Sequence, residues 1–182
     1  MTSAYDTTAL TSAVPFDLLG VDGKRCTLDS TRGDKGLLVM FICNHCPYVK
    51  AIVERLCGDC RELAGIGIGS VAIMSNDTAS YPADSFEHMK QFSTRNRFPF
   101  PYVIDETQQV ARAYGAVCTP DFFGFDSALR LQYRGRLDPY GTQPPPAERQ
   151  RELVDAMTSV AKTGLAPVRQ WPSIGCSIKW RD

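Results

Sequence analysis

The sequence predicts an α/β fold, a mixed β-sheet with helices on both faces. Two apolar runs, Leu37-Leu38-Val39-Met40-Phe41-Ile42 and Val71-Ala72-Ile73-Met74, lack the alternation of a half-exposed strand and read as strands covered on both sides. Each precedes a segment whose apolar residues recur at helical spacing. Strands alternating with helices imply a largely parallel sheet, and a late pair of strands turning at Asp126-Ser127 adds an antiparallel hairpin that makes it mixed.

Taken in order, Phe16-Asp17-Leu18-Leu19 and residues 24–28 flank Asp22-Gly23, a turn signal for an N-terminal hairpin. Gly33 and Gly36 introduce the first buried strand. Pro47 then stands at an early helix position, which tolerates its missing N–H. Val49, Ile52, Val53, Leu56, Cys60 and Leu63 form one face of a helix ending near Gly65–Gly67. Asp84 with Glu87 reads as a capping box opening a helix that includes Phe86, Met89 and Phe92. Tyr102-Val103-Ile104 is a short strand, and Asp105 with Gln108 is expected to cap a helix that stops at Gly115. Phe122-Phe123-Gly124-Phe125 and residues 129–133 form the late hairpin. Pro144-Pro145-Pro146 precedes a last helix with Leu153, Met157, Val160 and Ala161 inward and Gly164 past its end. One domain is expected over residues 1–182, with 1–13 a loose arm, 14–164 the core and 165–182 a tail without periodicity.

Composition narrows the function classes. With 43% hydrophobic and 22% charged residues, the chain resembles an ordinary soluble globular protein. Twenty basic and twenty acidic residues balance, so neither nucleic acid nor a membrane surface is an expected partner. The N-terminus lacks the charged and apolar regions of a secretory signal, and a cytoplasmic location is expected. Seven cysteines cannot all pair internally, which favours reactive or buried thiols over a disulfide framework.

Cys43-Asn44-His45-Cys46 joins the first buried strand to the long helix, where backbone N–H groups and the helix dipole are expected to stabilise a thiolate on the first sulfur. A free cysteine of pKa about 8.5 is only a few per cent thiolate at pH 7; a value near 6.5 would make it mostly thiolate. A protonated His45 would act in the same direction.

The strand into Cys43-Asn44-His45-Cys46-Pro47-Tyr48-Val49, with Val117-Cys118-Thr119-Pro120-Asp121-Phe122-Phe123, resembles the thioredoxin-like superfamily. The N-terminal hairpin and the intervening strand and helix are similar to its alkyl hydroperoxide reductase/thiol-specific antioxidant branch, over about residues 14–164. The tail from Gly175 to Trp180 resembles that of a bacterial subgroup of probable thiol-disulfide isomerases. The resemblance implies a thioredoxin-like three-layer sandwich with an N-terminal β-hairpin extension. It implies thiol-disulfide oxidoreductase activity with an antioxidant or redox-homeostasis role, disulfide or thiol substrates, a separate reductant, and neither cofactor nor metal.

Carried over, Cys43 is the attacking thiol and Cys46 the more buried resolving thiol, and the two form the redox-active disulfide. Thr119 and a cis Pro120, with Cys118 beside them, form the surface on which an extended substrate segment pairs. Three departures stand out. Leu37 occupies the place of thioredoxin's buried acid, so His45 or water must take the proton of Cys46. Ile42 replaces a tryptophan. Asn44-His45 replaces Gly-Pro and implies a reduction potential above about −270 mV.

Other readings compete. Cys57-Gly58-Asp59-Cys60 suggests a four-thiolate zinc site with the first pair, but the helix from Cys46 to Cys57 rises roughly 16 Å, against zinc–sulfur bonds of about 2.3 Å. Cys60 continues the buried stripe, and Cys57 is placed at its border. Cys118 is either a space-filling thiol or a neighbour of the active loop; Cys176 is a resolving partner or a packed anchor; Cys26 has no functional argument. His88 is read as a surface or border residue. Arg134-Gly135-Arg136 fits a solvated strand edge, or the arginine that holds a peroxidatic thiolate. The alternatives to exchange are therefore a thiol-dependent peroxidase, acting through Cys46, and a non-catalytic redox sensor or metal-binding module.

Overall fold

The computed structural model describes residues 10–181. Strands β1 (Asp17–Gly20) and β2 (Arg25–Thr27) form the expected hairpin, with Leu18 opposite Cys26. A single turn, α1 (Leu28–Thr31), is capped reciprocally by Thr27 and Ser30, each hydroxyl accepting the other residue's backbone N–H. Strand β3 (Gly36–Phe41) leads through the cysteine loop into α2 (Pro47–Gly65), then β4 (Ile68–Met74), α3 (Phe86–Asn96), β5 (Tyr102–Ile104) and α4 (Gln109–Tyr114). The chain ends with β6 (Cys118–Thr119), the hairpin β7 (Asp121–Asp126) and β8 (Leu131–Gly135), α5 (Glu152–Thr163) and β9 (Cys176–Ser177).

The strands order as β2-β1-β5-β4 and β3-β7-β8, and Ile42 N–H donates to Ile73 C=O at 3.1 Å where β3 runs beside β4. Strand β3 alternates strictly between two cores. Leu38 and Met40 pack with the buried faces of α2, α3 and α5, whereas Leu37, Val39 and Phe41 face Leu28, Ala111 and Tyr114 of α1 and α4. Burial on both faces is why the strand reads as an unbroken apolar run.

The sheet is mixed, but the largely parallel arrangement expected from sequence is not what forms. A parallel register runs between β4 and β5, whereas β1–β2, β1–β5, β3–β7, β7–β8 and β6–β9 are antiparallel. An apolar run records that both faces are covered; the direction of the neighbouring strand depends on where the chain re-enters the sheet. Residues 1–9 of the expected loose arm lie outside the described residues. Residues 10–13 are pinned, with Ser12 bridged to Arg130 and Leu131 N–H donating to Thr11 C=O at 2.9 Å.

Two helix starts also differ from expectation. Ser85, not Asp84, caps α3 by accepting the His88 N–H, which frees the Asp84 carboxylate for the site described below. Gln108 precedes α4 in the left-handed region without a side-chain cap of its own, and Asp105 Oδ2 accepts the Ala111 N–H at 2.9 Å. On α2, Cys57 is 2% exposed rather than at a border, and Cys60 Sγ lies 3.9 Å from Met40 Sδ.

Asp59, also buried on α2, pairs with Arg149 and with Arg151, the latter at 2.7 Å; Arg55 pairs with Asp138 at 2.7 Å. This network ties the proline-rich loop to the outer side of α2, where Pro144 and Pro145 share a groove with Ala51 and Glu54. Among the described residues, no helix is long and apolar enough to cross a membrane.

Glycine is required where α1 meets β4. A Cβ on Gly69 would lie 2.0 Å from Thr31 O and 2.6 Å from Gly33 N, both main-chain atoms. Gly69→Ala must therefore displace backbone, at about 1–3 kcal/mol. The melting temperature is expected to fall by roughly 2–12 °C for a chain of this size. An unchanged thermal melt would show that these two segments do not make the close approach.

Candidate active site

The cysteine loop sits where β3 ends and α2 begins, with Cys46 as the N-cap residue and Pro47 in the first turn. The helix N-terminus is thus aimed at the second sulfur and not, as the sequence suggested, at the first. Cys46 Sγ accepts hydrogen bonds from the Cys43 thiol, from Val49 N–H and from the backbone and side chain of Cys176. When protonated it donates to Thr119 C=O at 3.1 Å. The donors outweigh that acceptor and the cost of burial, so Cys46 is held well below the ordinary thiol range, chiefly by Cys43. Cys43 is pushed up by its own hydrogen bond to Cys46, by burial and by the charge of Asp84, while the Thr119 hydroxyl at 3.4 Å works the other way. The pair shares a proton that resides on Cys43. Cys43 is 1% exposed, so burial does not separate the two cysteines in the way the resemblance implies.

A buried acid does reach the loop from elsewhere in the chain, but it acts on Cys43. Asp84 is fully buried in the 3-10 turn Pro82–Asp84 and accepts backbone N–H groups from Asn44 at 2.8 Å and His45 at 3.3 Å. His45 Nδ1 lies 2.6 Å from Asp84 Oδ2, and Asn76 Nδ2 donates to the same oxygen at 2.8 Å. His45 Nδ1 is 3.9 Å from Cys43 Sγ, so the ring faces the carboxylate more closely than the thiol. Its stacking on Tyr81, with centroids 5.8 Å apart, fixes the ring plane. Any positive charge on His45 is therefore offset by Asp84, which weakens the direct role expected of that histidine in tuning Cys43. Asn44 is no mere spacer: Tyr102 O–H donates to its Oδ1 at 2.9 Å and its own Nδ2 donates to Ala83 C=O at 3.2 Å.

The signal that could have located Asp84 is slight. Ser85 is itself a good N-cap, which leaves the preceding aspartate unneeded for capping.

Thr119 and Pro120 are joined by a cis peptide bond, and Thr119 contacts both sulfurs. Cys118 is buried beside them, its thiol donating to Pro120 C=O at 3.5 Å and pushed up by burial and by Asp121. The tail, which has no clear periodicity in sequence, supplies β9 here. It pairs antiparallel with β6, Cys176 opposite Thr119 and Ser177 opposite Cys118. The edge expected to receive an extended substrate is thus taken by the chain itself.

Two clefts flank the cysteines. One, about 210 Å³, is lined by Tyr48, Ile52, Pro120, Leu137, Tyr140 and Ile174. The other, about 330 Å³, runs past Asn44 and His45 to Lys50, His88 and Arg95. His88 is exposed and sits 2.7 Å from Ser85 Oγ.

Arg134 of β8 and Arg136 just beyond it are partly buried rather than solvated, and the Arg134 charge favours the Cys118 thiolate. Arg134, 11% exposed at its side chain, lies over Phe123 and donates to Gly115 C=O at 2.6 Å; Arg136 makes a two-pronged pair with Glu152 at 2.7 and 2.8 Å. Among the described residues, the donor atoms grouped closely enough to share a metal are those of Cys43, His45 and Asp84, within 4.8 Å of one another; Cys57 and Cys60 do not join them.

Residues 10–134 match the model of the AhpC/TSA family. An uncharacterised conserved protein from Geobacillus kaustophilus is 41% identical, with 97% of this chain and 94% of that chain covered and a TM-score of 0.87. A hypothetical protein from Sinorhizobium meliloti 1021 is 38% identical over 100% of this chain and 99% of that one, with a TM-score of 0.89. At 17% identity, covering 88% and 97% of the two chains, a thiol:disulfide interchange protein of the thioredoxin family from Chlorobium tepidum shares the fold with a TM-score of 0.60. The comparison with curated proteins gave no match.

Proposed function

From membership of the AhpC/TSA family, to which this chain belongs, we propose that it exchanges disulfides through Cys43 and Cys46. General thiol redox chemistry follows from the family and the thioredoxin-like fold. The observation that carries the finer reading is geometric: the Thr119 hydroxyl lies 3.4 Å from Cys43 Sγ and the Thr119 carbonyl 3.1 Å from Cys46 Sγ, at the N-terminus of α2.

In the forward direction Cys43 Sγ attacks one sulfur of a substrate disulfide. Its proton passes to Cys46, a bond to the substrate sulfur forms, and the other substrate sulfur leaves as a thiolate. Cys46 then gives up that proton, which ends on the departed thiolate, and attacks Cys43 Sγ. The intramolecular disulfide closes and the second substrate sulfur is released, so that the pair has lost two electrons and the substrate has gained them. His45 and Asp84, joined at 2.6 Å, form the proton relay closest to this step.

A peroxidase reading has one point in its favour, the stabilised charge on Cys46, the position equivalent to a peroxidatic cysteine by resemblance. Against it, Arg134 and Arg136 are held by other groups. The discriminating experiment pairs insulin reduction under dithiothreitol with hydrogen peroxide consumption. Catalysed insulin reduction, with an oxidised form that carries the Cys43–Cys46 bond, is expected. Peroxide turnover with a sulfenic acid on Cys46 and no insulin reduction would replace this reading.

A further inference from the structure

The tail does more than close the fold, because it brings a third thiol to the pair. Strand β9 puts Cys176 directly across from Thr119, whose hydroxyl and carbonyl contact Cys43 and Cys46 respectively. Both the backbone and the side chain of Cys176 are within hydrogen-bonding reach of Cys46 Sγ. Cys43 and Cys46 are buried, whereas Cys176 is partly exposed and so forms the solvent side of the cluster.

The register is held from several directions. The preceding residue, Gly175, passes so close to β6 that a Cβ there would lie 2.1 Å from Thr119 O. Beyond Cys176, Ile178 is buried and its N–H donates to Val117 C=O at 3.2 Å. Lys179 N–H donates to Asn76 Oδ1 at 2.9 Å, and Lys179 C=O accepts Gln108 Nε2 at 2.8 Å and Asp77 N–H at 2.8 Å. A tail serving only as a lid would not need a thiol at the position facing Thr119.

We infer that Cys176 is a third redox residue, and that β9 acts as an internal substrate strand whose thiol exchanges with the oxidised pair to give a Cys46–Cys176 disulfide. This rests on the exchange reading above. Starting from the Cys43–Cys46 disulfide, Cys176 Sγ attacks Cys46 Sγ, the Cys46–Cys176 bond forms and the Cys43–Cys46 bond breaks. Cys43 leaves as a thiolate and takes up the proton that Cys176 gives up. One disulfide replaces another, so no oxidant or reductant enters the step. The oxidising equivalent moves from a buried sulfur to one that solvent thiols can reach.

In the reduced protein Cys176 is pushed up to about 11, by burial first and then by hydrogen bonding to Cys46 and its charge, with Lys179 opposing. Oxidation of Cys46 removes both of the influences that come from Cys46. Burial still raises the thiol, but less opposes its ionisation when the disulfide it attacks is present.

The test is peptide mapping under non-reducing conditions after equilibration with oxidised glutathione. Trypsin leaves Cys43 and Cys46 together on residues 36–50 and Cys176 on residues 170–179. The linked pair of peptides is expected in the wild type, as the dominant product in Cys43→Ser, and absent from Cys176→Ser, which keeps the Cys43–Cys46 bond. Gly175→Ala, which displaces the tail from Thr119, is expected to lose the link between the peptides but keep the bond within the first. A Cys43–Cys46 bond in the wild type, with only glutathione on Cys46 in Cys43→Ser, would overturn the inference and leave the exchange reading standing. Absence of any disulfide at Cys43 or Cys46 would sink the exchange reading and this inference with it.

Discussion

Cys46→Ser is expected to reduce catalysed disulfide exchange to the uncatalysed background. Three groups that favour a negative sulfur converge on this residue: the Cys43 thiol, Val49 N–H at the start of α2, and Cys176. Serine keeps the shape but has no sulfur with which to close a disulfide, and it cannot carry the charge at neutral pH. The same substitution takes away the hydrogen bond that most strongly raises Cys43.

The charge itself is measurable as thiolate ultraviolet absorbance against pH. The wild type should keep one thiolate's absorbance well below the ordinary thiol range, and Cys46→Ser should lose it. The sign for stability follows from the lowered folded-state value. Deprotonated Cys46 contributes stability that is fully present above the unfolded thiol value and is lost as pH falls through the lower folded value. If the low-pH thiolate survives in Cys46→Ser and vanishes in Cys43→Ser, the charge sits on the first sulfur and the assignment is reversed.

Asp84→Ala should cost the most stability of any single change at the site, while Asp84→Asn should change its chemistry more than its fold. Alanine strands the Asn44 and His45 N–H groups and the Asn76 amide, all of which now donate to one fully buried carboxylate. At about 1–3 kcal/mol for an unsatisfied buried group, a loss of roughly 3 kcal/mol is expected, or some 6–12 °C in melting temperature.

Asparagine keeps the oxygen that accepts from Asn44 but removes the charge. That charge raises Cys43, so its removal makes the reduced, ionised pair easier to form, and the reduction potential rises. Loss of the relay should at the same time slow exchange, by about 10²-fold if Asp84 and His45 move the proton. Equilibration with glutathione reads the first effect and single-turnover kinetics the second. A potential that falls in Asp84→Asn would show that the carboxylate does not act on Cys43.

These two residues mark the limit of what could be read in advance. The cysteine pair was visible because it interrupts a change of period, from the apolar run of β3 to the helical stripe of α2. Asp84 was visible as an acid near a helix start, but local chemistry offered a sufficient use for it as a cap. Only the packing of the turn at Pro82–Asp84 under the cysteine loop shows that Ser85 does the capping and that Asp84 faces His45. Arg134 and Arg136 were ambiguous for a similar reason. Spacing cannot say whether a long side chain stays in solvent or folds back onto Phe123 and Glu152.

The amino-acid sequence by itself determined the elements, their order and the chemistry of the thiols. Period, turn residues and caps are local properties that act over a few neighbours. The tertiary structure alone decided the mostly antiparallel pairing, the placing of helix N–H groups on Cys46 and the arrival of Asp84 and Cys176 at the pair. The arrivals of Asp84 and Cys176 depend on contacts some 40 and 130 positions apart, which no local pattern records. Cys176 is the sharpest case: two residues of strand in an aperiodic tail carry no periodic signal, and the choice between a resolving partner and a packed anchor turns on the edge of β6 that they occupy.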